Sequence, residues 1–458
     1  MSSSPEKKKK KLAEELPSTR QTNPTPSLPD ELLTSCIARL SRLYYPTLSL
    51  VSKSFRSLLS SPELYKARSL SSRTETCLYL CLESSSDSRW FTLCRKPDKT
   101  VTKDDVSKNK KNNDDVSKKK STSYVLSKLP ALHSPPAVFS GLVSVGSDIY
   151  NIRSSSNVSV LDCRFHTWRK APSLPVELMA LSACAVDEKI YVAGIHGESL
   201  KNASKVLDAR TQTWDHVVSI PCSLTRRGAL NMRSVCIDGK SHVATDDGVV
   251  CYNSQEGKWE LGEAKMGSFR FSDSYCEVEN VLYSVCNGTL RWYDGEVNVW
   301  RSLDGLVGLP KFLPGVSVRL CDYGGNMVVV WDKNMLSSGQ KKILCAEIAL
   351  ERRGVCEIWG GVEWIDHVLT VPIGYYIAKA LSATFLPGVS VRLCDYGGNM
   401  VVVWDKNMLS SGQKKILCAE IALERRGVCE IWGGVEWIDH VLTVPIGYYI
   451  AKALSATV

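Results

Sequence analysis

Four tryptophans, Trp168, Trp214, Trp259 and Trp300, follow one another at intervals of 46, 45 and 41 residues. Six positions ahead of each stands a short polar side chain: Asp162, Asp208, Asn253 and Asp294. Upstream lie β-rich runs, Ile149-Tyr150, Ile190-Tyr191-Val192 and Val281-Leu282-Tyr283. An Asp or Asn at a strand end accepts backbone N–H bonds two residues on, so it suits a turn. The five residues before the tryptophan make a hairpin loop, and the tryptophan opens the next strand with its ring packed between sheets. A unit of about four strands recurring every ~40–50 residues is the signature of a propeller blade. The expectation is an all-β propeller over residues 137–384, with these eight residues as its structural markers.

Phe312–Thr384 is repeated without change as Phe385–Thr457, an offset of 73 residues. Blades of one propeller drift apart in sequence, so strict identity marks either a recent tandem duplication or an error in the predicted gene. Each copy holds about one blade and part of the next. Val316–Trp359 carries four strand-like runs, and Val362–Ala378 begins another sheet. Thr76–Leu82 and Trp90–Arg95, in segment 71–96, are also strand-like. An unclosed ring exposes pairing edges, so these early strands are expected to complete the last blade. Only one copy can pair with them. The result is a closed ring of about six blades, with 385–458 as a surplus segment or an extra blade.

Residues 27–70 are different in kind. Pro29 is expected at the first helical position, with Asp30 and Glu31 complementing the helix dipole. Leu32, Leu33, Cys36, Ile37 and Leu40 repeat at helical spacing. Pro46 breaks the chain, and Leu48, Val51, Phe55, Leu58 and Leu59 form a second stripe before Ser61-Pro62-Glu63-Leu64 opens a third helix. So short a module falls below the roughly 60 residues at which folding alone is already marginal, so a partner is expected to cover part of it.

Leu28-Pro29-Asp30-Glu31-Leu32, Tyr45-Pro46 and Leu50-Val51-Ser52-Lys53-Ser54-Phe55-Arg56-Ser57-Leu58-Leu59 resemble the F-box of plant F-box/kelch proteins. The resemblance implies docking on the Skp-type adaptor of a cullin-RING ubiquitin ligase through Leu28, Pro29, Leu32, Pro46, Leu50, Val51 and Phe55. With the F-box ahead of it, the tryptophan ladder resembles kelch repeats. There are departures. The glycine doublet expected after the second strand is missing from the early blades, where Gly146 and Gly194 stand alone, and only Gly324-Gly325 keeps it. Gly239-Lys240-Ser241-His242 stands where an aromatic strand is expected.

The net charge of +9 is concentrated. Residues 1–20 carry six basic and three acidic side chains, and residues 95–120 carry ten and five, which together supply +8. The rest is nearly neutral and lacks the basic, aromatic-lined groove that nucleic acid requires. Residues 1–26 read as a disordered basic tail, and 97–120, in which Asp-Asp-Val-Ser-Lys recurs, as a low-complexity insertion. Neither a secretory leader nor a membrane span is expected, since Lys7–Lys11 leads into no apolar run and no window of 18 residues is apolar. Lys7–Lys11 reads as part of a solvated tail, with a nuclear-import signal as the alternative, and the expected location is cytoplasmic, nuclear or both.

The 17 cysteines are scattered without a C-x-x-C pair, so they read as small buried hydrophobes in a reducing compartment and not as zinc ligands. The seven histidines show no paired spacing, and there is no nucleophile elbow, P-loop or dinucleotide fingerprint. No metal or cofactor is expected. Arg226, Arg227 and Arg233 lie between the second and third repeat units, in a loop position: they read as surface charges or a blade-to-blade hydrogen bond, or as a site for an acidic patch on a target. The resemblance implies a non-catalytic substrate receptor of a Skp–cullin–F-box ligase. The alternatives are a kelch scaffold acting outside a ligase and, last, a propeller hydrolase or oxidase.

Overall fold

The computed structural model describes residues 29–445, apart from segments 71–74, 97–123, 131–133, 198–200, 217–219, 222–231, 386–391, 397–398, 409–412 and 426–430 and positions 86, 187, 255, 314, 336 and 355. Helices α1 (Asp30–Ala38), α2 (Tyr45–Leu48), α3 (Lys53–Leu59) and α4 (Pro62–Leu70) come first, with a 3-10 turn at Arg42–Tyr44. Pro29 stands one position outside α1, as its N-cap. Serine side chains start the later elements: Ser41 accepts the Leu43 N–H, Ser52 the Phe55 N–H and Ser61 the Leu64 N–H. Ile37, Ala38, Tyr45, Leu59 and Leu64 form the small core of this bundle.

Seven four-stranded antiparallel sheets follow. Blade I is Tyr376–Phe385, Glu75–Glu83, Ser88–Arg95 and Tyr124–Lys128, from the innermost strand outward. Blade II is Leu142–Val145, Asp148–Ile152, Val158–Asp162 and Thr167–Lys170. Blade III is Leu178–Val186, Lys189–His196, Asn202–Asp208 and Thr213–His216. Blade IV is Arg233–Ile237, Lys240–Thr245, Gly248–Asn253 and Lys258–Leu261. Blade V is Ser274–Val278, Val281–Cys286, Thr289–Asp294 and Val299–Ser302. Blade VI is Val318–Tyr323, Asn326–Met335, Gln340–Gly354 and Glu357–Pro372. The seventh sheet, Arg392–Tyr396, Asn399–Met408, Gln413–Arg425 and Ile431–Pro445, comes from the second copy.

The first six sheets close a ring. Their innermost strands touch in cyclic order, I to II and onward to VI and back to I. Between each pair of neighbours sits an apolar cluster, with a second, smaller one of Cys184, Tyr191, Val206 and Cys236 between III and IV. Trp90, Leu142 and Ile149 lie between I and II, Val160 and Val192 between II and III, and Ile195, Val243 and Trp259 between III and IV. Ala244, Phe269 and Leu282 fill IV to V, Trp292 and Met327 V to VI, and Leu80 and Val330 VI to I. Each large side chain so buried contributes about 1.5–3 kcal/mol, so the inter-blade spaces hold most of the core energy. Blade I joins the two ends of the ring: Glu75 to Glu83 pairs with Phe385 to Tyr376, and so closes the circle where the first copy runs into the second.

Three boundaries differ from the sequence reading. The outermost strand of blade I, Tyr124–Lys128, lies beyond the low-complexity tract, where no strand was expected. Val362 does not begin a new sheet. The last strand of blade VI runs on to Pro372, because its partner Gln340–Gly354 is nearly as long and pairs with it along its length across three register shifts. Gly324-Gly325 lies in the turn between the first and second strands of its blade, not after the second. Both glycines have positive φ there. The same turn in other blades holds Glu188, Asp238 or the pair Glu279 and Asn280 at positive φ, so the backbone shape persists where glycine is lost. Lys240–Thr245 is a regular second strand despite its lack of aromatics.

Candidate functional site: an exposed helical face and a basic channel mouth

The repeat hairpins use their side chains as the Asx-turn chemistry requires. Asp208 Oδ1 accepts the N–H groups of Arg210 and Thr211 at 2.8 and 2.9 Å, and Asp294 Oδ1 that of Glu296 at 3.1 Å. Asp162 accepts the Arg164 N–H at 2.9 Å, and Asn253 the Glu256 N–H at 3.4 Å. The Thr211 N–H, foremost, holds the Asp208 carboxyl below its ordinary range. Two residues before each tryptophan, His166, Gln212, Gly257 and Asn298 adopt positive φ, a shared position that composition did not reveal. Each tryptophan packs toward the preceding blade. Trp259 is buried, and Trp168, Trp214 and Trp300 are half-buried. Trp214 and Trp300 donate their indole N–H to the carbonyls of Pro172 and Lys265.

The helical bundle leaves apolar side chains in water. Leu32 is 54% exposed, Leu50 76% and Val51 63%, and Pro29 is exposed too. A shallow groove of 510 Å3, lined by Glu31, Thr34, Ser54 and Ser57 among others, runs between α1, α3 and α4. Pro46 is half-buried. Phe55, which the resemblance sets among the adaptor-facing residues, is half-buried and packs on the bundle's own core, because α3 has only Leu58 and Leu59 besides it to hold that core together. Leu28, Arg226 and Arg227 lie outside the described residues, as do the 1–26 tail and the 97–120 tract.

The bundle is tied to one end of the ring. Arg42 is 7% exposed and donates through Nη2 to the Cys163 carbonyl at 2.7 Å, while its guanidinium lies 3.8 Å from the Phe385 ring centroid. Ser41 and the Arg42 N–H both bond Glu75, and Arg68 pairs with the same carboxylate. Tyr65 donates to the Arg164 carbonyl at 2.6 Å, and Arg95 to Tyr44 at 2.8 Å. Cys163, Arg164, Glu75 and Phe385 all lie where the innermost strands finish, so the helices cap that end.

The opposite end, where the innermost strands begin, holds Arg233. It is the first residue of blade IV and not a loop residue, since the strand starts at once after Met232. Arg319 of blade VI and Lys379 of blade I join it around the ring of Phe139, at 5.5, 5.2 and 4.9 Å from its centroid. Burial, with Arg233 and Arg319 nearby, draws Lys379 down to about 7. His166, held at about 4 chiefly by burial, is a neutral acceptor or donor to Tyr79 at 3.2 Å. Most described cysteines are buried free thiols.

Residues 90–369 match the FKB95 Kelch-repeats domain, and residues 26–67 match the F-box domain. The chain belongs to the F-box/kelch-repeat family. It is 52% identical over 378 residues to the Arabidopsis thaliana F-box/kelch-repeat protein At5g51250, covering 78% of this chain and 99% of that one. It is 49% identical over 396 residues to At4g39550 of the same plant and family, covering 83% and 100%. These relatives are matched nearly end to end by about four-fifths of this chain, so they are the shorter proteins. F-box/kelch architecture is typical of non-catalytic adaptor proteins, and here the exposed helical face and the basic mouth stand at opposite ends of one ring.

Proposed function

We propose that this F-box/kelch protein is the substrate-recognition subunit of a Skp–cullin–F-box ubiquitin ligase. The F-box docks a Skp-type adaptor, and the propeller holds the protein to be modified. The observation that carries the reading is the exposed set Leu32, Leu50 and Val51 on a bundle matched by the F-box domain. Large apolar side chains left in water on so small a module mark a partner surface. The mechanism is proximity: a target held by the ring presents its lysines at high effective concentration to the charged E2, with no proton transfer or nucleophile supplied by this chain. The Arg42 linkage supports the reading, because contacts that tie the bundle to the ring limit where a target would be presented.

The test is capture of purified adaptor by the full chain and by the Leu50→Ala, Val51→Ala double variant. Both side chains are mostly exposed, so unfolding stability should move by no more than about 0.5 kcal/mol. Adaptor affinity should fall at least about tenfold, as for central interface anchors. Capture at the wild-type level would remove the F-box reading.

A further inference from the structure

The three cations at the channel mouth come from three separate blades, so no local sequence pattern gathers them. Lys379 Nζ donates to the carbonyls of Phe139 and Leu142. Arg319 donates to those of Ala378, Asp273 and Val318, and among the described residues Arg233 donates only to that of its neighbour Met232, at 3.2 Å. Among the described residues none of the three forms an ion pair. The segment 217–231 that leads to Arg233 contains two arginines and no acid. Glu83, the carboxylate at this end of blade I, is taken up by Ser88, the Ala137 N–H and Tyr376.

Phe139 also meets Tyr275 of blade V, at 6.3 Å between ring centroids, so it lies across the channel. One aromatic face attracts cations by only about 0.5–2 kcal/mol each and does not neutralise three mutually repelling charges. The opposite end of the channel carries the acids: Asp238, Glu277, Glu279 and Asp322 gather around the first turns of blades IV to VI, close enough to lift Glu277 to about 7, with burial the largest cause. Charge is therefore sorted along the axis: the positive end lies away from the F-box, and the carboxylates acting on it are Asp273 and Asp332, both facing Arg319, with Asp332 also held by Lys341 and the Ser317 N–H.

We propose that this mouth is an oxyanion-binding site, formed by Arg233, Arg319 and Lys379 around Phe139, that takes an acidic side chain of the target protein. The second half rests on the substrate-receptor reading above; the first does not. Arg233 Nε and Nη2, which donate to none of the described residues, supply the fork that a carboxylate accepts, while Arg319, held by carbonyls, gives fixed positive charge beneath it and Lys379 adds charge while it is protonated.

The experiment is calorimetric titration of the full chain with sulfate at constant ionic strength, followed by displacement with a blocked tetraglutamate peptide. Wild type should show one saturable sulfate site that the peptide empties. Arg233→Gln, which removes a side chain bonded only to its neighbour's carbonyl, should keep the unfolding midpoint and weaken sulfate about tenfold. Lys379→Met is the second variant and should weaken it as well. Unchanged affinity in both variants overturns the site. Sulfate binding that the peptide does not displace overturns the target-acid assignment and leaves a free-anion site. Adaptor capture by Arg233→Gln should equal wild type. If wild type itself captures no adaptor yet binds sulfate through these residues, the ligase reading falls and the anion site stands.

Discussion

Trp259 and Trp300 hold the same place in successive blades, yet one is buried and the other half-covered with its indole N–H bonded to Lys265. Trp259→Ala should therefore cost about 3–5 kcal/mol, as for emptying a closed aromatic site. Trp300→Ala should cost about 1–3 kcal/mol, since water already reaches the ring and one hydrogen bond is lost. Chemical denaturation of the two variants checks the order, and equal losses would mean that exposure does not govern the ladder. Lys379 makes a pH prediction. Its folded value near 7 lies below the ordinary 10.5, so between these values the unfolded chain binds the extra proton. Stability should rise with pH across that window and lose this slope in Lys379→Met. The groups that set the shift are Arg233 and Arg319, which lower it after burial itself, and Cys184, which opposes it. Sulfate binding should weaken as pH rises through about 7, where the folded ammonium loses its proton.

The short turn Arg42–Tyr44 joins two modules whose own cores are separate. Its sequence announces only a break between helices. Nothing local says that Arg42 will be buried under the Phe385 ring, because that ring arrives from the far end of the chain. Arg42→Ala removes a charged hydrogen bond and a cation–π contact, a loss of about 3 kcal/mol. Hydrogen exchange should quicken across α1–α4 while the strands of blades II to V stay protected. Quickening throughout would mean that the helices and the ring unfold as one unit. Among the strands, the hairpins before each tryptophan were legible because turn chemistry is local, down to the Asp and Asn that accept the turn N–H groups. Tyr124–Lys128 was not, since five residues beyond a polar tract carry too little pattern to identify without the neighbouring strand.

For the molecule as a whole, the ring closes with Tyr376–Phe385, the last nine residues of the first copy and one more, and the next sheet begins at Arg392. Phe385 is the first residue of the second copy but the last of blade I, where it is 9% exposed and meets Arg42. A chain ending at Phe385 should thus be monomeric and at least as stable as the full chain by calorimetry and light scattering. Loss of cooperative unfolding in that truncation would show that the seventh sheet supports the ring.

Periodicity and local chemistry are properties of neighbours in the chain, and they sufficed for the helical module, the four-strand repeat, its turn residues and a ring of about six blades. Burial is a property of neighbours in space. Val368 and Val441 are the same residue in two identical stretches, with Ile343 paired to Leu369 in one as Ile416 is to Leu442 in the other. Yet Val368 is 2% exposed and Val441 52%. The first is covered by blade I, whose outermost strand lays Tyr124 on Trp364 with ring centroids 4.2 Å apart. Identical propensities made the same sheet twice. Which copy entered the core, and which three cations met at the channel mouth, followed from ring closure, where a strand can pair with only one partner on each edge.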